Sequence, residues 1–199
     1  MRVRVSQLRR VIREVLTEGR RLDALARTIV KGLMPVWKAK LEDALLAGGR
    51  QTSVIHQPPG GPAVKVNTYL SPGASKDAWV AQAGFKSDGS IGIELVVRPK
   101  ESAYTSVVEE LVYSIRHELE HSDQFASGDT EKTTGLSMED YLTHRKEVPA
   151  WVRSAMLKAK RSRRPLSGVL RDIAREDRIP DEVLDTWEAW ARKRWPGYS

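Results

Sequence analysis

Residues 105–124 read TSVVEELVYSIRHELEHSDQ. At their centre stand His117-Glu118-Leu119-Glu120-His121, an H-E-x-x-H pattern. Val108, Leu111, Val112, Ile115 and Leu119 recur at three- and four-residue spacing, so the stretch predicts an amphipathic helix. Ser102 or Thr105 can cap its start, and Glu109 and Glu110 suit the positive end of the helix dipole. No Gly or Pro interrupts it. On a helix, side chains four apart lie one above the other, so both imidazoles reach one cation. Glu118 lies about 100° round from His117. That angle removes it from the metal and leaves it free to take a proton from a water held there. The chain has only four histidines, and two of them occupy this spacing.

A catalytic zinc site needs a third protein ligand and one open position. The chain has no cysteine, so His, Glu and Asp are the choices. Glu147 opens a second segment of helical period, Val148, Trp151, Val152, Met156, and would point back at the first helix. His144 is the main alternative, with Asp123 and Asp140 behind it. Tyr141 and His144 are candidates to donate a hydrogen bond to a developing oxyanion.

These motifs resemble the zincin metallopeptidases, and within them the gluzincins, which carry H-E-x-x-H on one helix and a Glu, often in E-x-x-A, on a later one. His117, Glu118, His121 and Glu147 match, with Ala150 completing E-x-x-A. The wider pattern, H-E-L-x-H-x-x-Q followed by Tyr and E-x-x-A, is similar to small metallopeptidases of phage and bacterial origin. The likeness spans residues 85–155. The metzincin extension is absent, since positions 124 and 127 are Gln and Ser. The resemblance implies an α+β zincin-like fold, with a small, mainly antiparallel sheet packed on the motif helix. It also implies zinc as cofactor, a protein or peptide as substrate, and an edge strand that pairs with it. Residues 91–97, which immediately precede the helix, are the expected edge.

The rest of the chain frames this core. Residues 52–56 and 64–70 read as short strands, 79–85 as a strand or short helix, and Ile91, Ile93, Leu95 and Val97 as one face of a strand. His56 is an ordinary strand-end residue. Residues 6–21 and 22–46 read as two helices forming a hairpin, with Pro35 breaking or kinking the second and Gly48-Gly49 ending it. Residues 125–137 form a polar loop beside the motif, read as a lid or a connector. Arg153 to Arg164 is a basic run, and helices follow from Pro165 and Pro180, the latter with tryptophans at core spacing.

Three regions are expected: 1–50 a helical hairpin, 51–157 the zincin-like core, and 158–199 a basic helical extension. The absence of cysteine, of a signal-like start and of any run near the roughly eighteen apolar residues of a membrane span suits the cytoplasm. The net charge of +7 brings in polyanions as partners through the basic tail. The rival to a peptidase is therefore a non-enzymatic basic module that binds nucleic acid or protein, its metal site incidental or vestigial.

Overall fold

The computed structural model describes residues 5–74, 76–100, 103–129 and 135–195, with side chains from residue 19 onward. It is an α+β fold of six helices and a four-stranded mixed sheet among those residues. The arginines and apolar face expected before residue 19, Ser102, and residues 130–134 of the polar loop lie outside the described set.

The N-terminal hairpin is replaced by one helix, α1 (Val5–Leu46), about 63 Å long. The reason lies in the phase of its apolar stripe. Leu22, Ala26, Ile29, Leu33, Trp37 and Leu41 are all buried, and their three- and four-residue spacing passes through Pro35 unbroken. Pro35 removes one backbone bond, to the Lys31 carbonyl. Both residues face outward, where water can serve that carbonyl. The helix ends in a Schellman motif: Gly49 N donates to Ala44 O (2.7 Å), Gly48 N donates to Leu45 O (3.1 Å), and Gly48 sits at φ +68°.

Strands β1 (Gln51–His56) and β2 (Val64–Leu70) pair antiparallel, and β3 (Ala78–Phe85) and β4 (Ile91–Val97) form a second antiparallel pair. Between them β2 and β4 run parallel, with Val66 opposite Ile93, so the order is β1-β2-β4-β3. This corrects the expected edge. Residues 91–97 are paired on both sides, and the edges are β1 and β3. The more apolar strand took the interior: Ile91, Ile93, Leu95 and Val97 are all buried. β3 buries only Ala78 and is interrupted by a bulge between Val80 and Gln82.

Helix α2 (Ala103–Ala126) lies against β3 and β4, and α1 packs beside it against β1. Together they bury one face of the sheet in a first core. Trp37 of α1 fixes the packing by donating from Nε1 to the buried Thr68 Oγ1 of β2 at 2.9 Å. His56 at the end of β1 has its ring over Gly32 of α1.

Helix α3 (Met138–Thr143) is capped by Ser137, whose hydroxyl accepts from Asp140 N. Helix α4 (Glu147–Ser162) follows at once and crosses the boundary expected after residue 157. Leu157 faces the first core, whereas Val148, Val152, Ala155 and Ala159 face a second one with α5 (Leu166–Glu176) and α6 (Asp181–Arg194). The C-terminal helices are thus packed on the helix that begins with Glu147. Trp187 of α6 is buried, donates from Nε1 to Leu142 O at 2.9 Å, and stacks on Trp151 with ring centroids 5.4 Å apart. The basic run is largely matched within the chain: Arg153 meets Glu120, Arg161 Glu109 and Arg164 Asp172. No helix among the described residues is long and apolar enough to cross a membrane.

Candidate metal centre

Six consecutive residues of α2, Ile115 to Glu120, are buried. Ile115 and Leu119 belong to the first core. The other four are polar, and a buried polar group is unfavourable without a partner. Arg116 has two: its Nε donates to Asp23 of α1 (2.9 Å) and its NH1 to Glu120 Oε2 (3.0 Å). Glu120 also accepts from Arg153 of α4. Burial alone would raise the carboxyl of Glu120, but Arg153 and Arg116 hold it below the usual range. This network binds α1, α2 and α4 together on one side of α2.

On another side of α2, His117 and His121 meet Glu147, the first residue of α4. His121 Nε2 lies 3.1 Å from His117 Nε2. Glu147 Oε2 lies 3.3 Å from the first histidine's Nε2 and 3.2 Å from the second's. A tetrahedral zinc site with bonds of about 2.0–2.1 Å requires ligand atoms about 3.3–3.4 Å apart. The three observed separations fit it. Glu147 is 2 % exposed, and its Oε2 accepts no well-aligned hydrogen bond among the described residues. A buried carboxylate oxygen left that way, facing two imidazole nitrogens, fits a cation. This is the one group among the described residues that could hold a metal ion.

The electrostatics agree. Burial opposes ionisation of Glu147, yet the two histidines pull its pKa down to about 2. Burial also disfavours a charged His121, but Glu147 outweighs it and raises the imidazole. The Glu147 carboxylate and the two imidazoles thus stabilise one another's charge where the three atoms converge.

The alternatives for the third ligand lie elsewhere. Asp123 pairs with Arg21 (3.2 Å), Asp140 belongs to the cap of α3, and His144 closes that helix, its Nδ1 accepting from Lys146 N at 3.3 Å. Tyr141 is directed at the Glu147 carboxylate. Burial first, then the charges of Glu147 and Glu118, push its phenol up, so it stays a hydrogen-bond donor.

A cleft of about 360 Å³ opens beside His117 and Glu118. Its walls are Trp79 to Ala83 of β3 and Trp151, Ser154, Ala155 and Lys158 of α4, with Tyr141 alongside. It follows α2 back to Glu110, two turns or about 10 Å from His117. Glu118 is 4 % exposed and makes no ion pair among the described residues. An edge strand and a buried carboxylate with no ion pair among the described residues therefore share one cleft with His117, whereas His121 and Glu147 lie behind its lining. Comparison of the chain with protein-family models, with curated proteins and with solved structures finds no match.

Two residues that the sequence patterns contain take a supporting place at the site that the patterns did not assign them. Trp151 packs edge-on against His117, with ring centroids 5.0 Å apart, and Trp187 backs it. Gln124 hydrogen-bonds His121. The signal for Trp151 was its place one helical turn after Glu147. That for Gln124 was its three-residue offset from His121, on the same face of α2.

Proposed function

We propose that this protein is a zinc-dependent metallopeptidase. The observation that carries the reading is the convergence of His117 Nε2, His121 Nε2 and the buried Glu147 Oε2 at 3.1–3.3 Å. These three residues would hold the ion. A zinc ion so held supplies Lewis acidity and lowers the pKa of water toward about 7.

The remaining work falls to the chain. Glu118 lines the cleft next to His117 and pairs with no cation among the described residues. It takes a proton from the attacking water and hands it to the leaving amine, as a general base and then acid. The Tyr141 hydroxyl lines the same cleft and remains protonated, so it suits donation to the carbonyl oxygen as charge develops there. Extended substrate would lie along the free edge of β3 by strand addition. Trp151 and Tyr113 give that cleft apolar walls that exclude water from the peptide.

The test is zinc content after purification without added metal or chelator. About one zinc per chain is expected, lost in His121→Ala and in Glu147→Ala. Glu118→Gln should keep the zinc and lose turnover by about 10²–10⁴-fold. Wild-type protein that neither contains nor takes up zinc would overturn the proposal.

A further inference from the structure

His121 has two ring nitrogens, and its role as a ligand depends on which one carries the proton. Nε2 faces His117 and Glu147. Nδ1 faces Gln124 Oε1 at 3.0 Å. The orientation of the Gln124 amide is settled by its other end: Nε2 lies 2.9 Å from the carbonyl oxygen of Lys146, which can only accept. The nitrogen of the amide must therefore face Lys146, and the oxygen must face His121. An oxygen acceptor at 3.0 Å requires a proton on Nδ1. In the neutral imidazole that leaves the lone pair on Nε2, toward Glu147.

We infer that Gln124 is a positioning residue that holds His121 in the Nδ1–H tautomer, so that Nε2 is presented as a ligand. The inference rests on the metal-site reading above. Gln124 also ties the two ligand-bearing helices together. It sits on α2 three residues beyond His121, and Lys146 immediately precedes Glu147 at the start of α4. The carbonyl of Gln124 in turn accepts from Asp129 N (3.0 Å) and Ser127 Oγ (2.7 Å). Asp129 pairs with Arg145 (2.6 Å) and Lys146 (3.1 Å), so the loop leaving α2 is clamped to the segment entering α4. The Lys146 carbonyl that orients the amide is therefore itself held in place. Outer-shell acceptors of this kind orient the ring and raise its basicity as a ligand, and losing one weakens metal binding about 10- to 100-fold.

The two roles of Gln124 are separable by substitution. Gln124→Leu removes both the acceptor for His121 and the donor to Lys146. Gln124→Glu keeps an acceptor for Nδ1–H but loses the donor to Lys146. Zinc dissociation constants are measured by competition with a chromophoric chelator, with thermal unfolding of the metal-free proteins alongside. The expected result is a dissociation constant raised about 10- to 100-fold in Gln124→Leu. In Gln124→Glu it should return to within about threefold of wild type or tighter, although both variants lack the link to Lys146. Gln124→Leu with wild-type affinity would overturn the inference and leave the metal site standing. Equal loss in both variants would also overturn it, since the link between helices would then be the whole effect. Wild-type protein that binds no zinc would sink the metal site itself, and this inference with it.

Discussion

Replacing Glu120 by glutamine should destabilise the protein without disturbing the metal site. Arg116 is 1 % exposed and reaches two carboxylates, Asp23 at 2.9 Å and Glu120 at 3.0 Å. Glu120 also serves Arg153 from the facing helix. Removing one partner from a buried ion pair costs about 3–5 kcal/mol, because the remaining charge stays buried. Asp23 still serves Arg116 in the variant, and the glutamine oxygen can still accept one bond. The loss should therefore sit near the low end, about 3 kcal/mol at pH 7. For a chain of this size that is about 6–12 °C in Tm. The sign with pH follows from the carboxyl of Glu120, which is held below its ordinary value of 4.5 in the folded protein. A depressed carboxyl adds stability that is fully present above the unfolded value and disappears as pH falls through the folded value. The difference between wild type and Glu120→Gln should thus be largest above about pH 4.5 and shrink below it. Urea unfolding followed by far-ultraviolet circular dichroism, from pH 3 to 7, measures both. Zinc affinity should change less than about threefold, since Glu120 faces arginines and not the ligands. A difference below about 1 kcal/mol at pH 7, or one that does not shrink in acid, would refute the reasoning.

Three further outcomes are expected. Trp187→Ala removes a fully buried indole that stacks on Trp151 and bonds the Leu142 carbonyl, and should cost about 3–5 kcal/mol in urea unfolding. Gly32→Ala would usually stabilise a helix by about 1 kcal/mol. Here a methyl would stand 2.7 Å from the tip of the half-buried His56 ring, which must swing aside, so the gain should be smaller than about 1 kcal/mol and be recovered in a His56→Ala background. Tyr141→Phe should retain zinc but lower kcat/KM on a peptide substrate about 100-fold, and a wild-type kcat/KM in that variant would remove Tyr141 from the mechanism.

What the sequence disclosed and what it hid divide along physical lines. Strands β2 and β4 and the helices with unbroken apolar phase were legible, because their periodicity is local. The meeting of Glu147 with His117 and His121 was also legible, since it follows from a ligand in the first turn of a helix facing another. Local pattern misled at Pro35. The missing backbone bond is a local loss, while burial of Leu33, Trp37 and Leu41 on a continuous stripe is a tertiary gain that outweighs it. The edge of the sheet was hidden for a different reason. Alternation in Ile91–Val97 shows one buried face but says nothing about which backbone edge is free. Only the parallel pairing of β2 with β4, between residues about 27 positions apart, displaces that edge onto β3. The ion pairs of the Arg153–Arg164 run were hidden as well, because the carboxylates that meet Arg153, Arg161 and Arg164 (Glu120, Glu109 and Asp172) lie outside the run.

Glu118 and Glu120 show most closely where pattern stops and structure begins. They are the same residue type, two apart on one helix, and both are buried. H-E-x-x-H singles out Glu118 but offers no reason why Glu120 could not serve as the base. The surroundings supply the reason. Glu120 is held by two guanidinium groups that keep it ionised and engage its oxygens, so giving it a proton would break a buried network. Glu118 borders the cleft next to His117, with no cation attached among the described residues. The 200° that separates neighbours two apart on a helix turns one carboxylate to the junction of three helices and the other to the cleft.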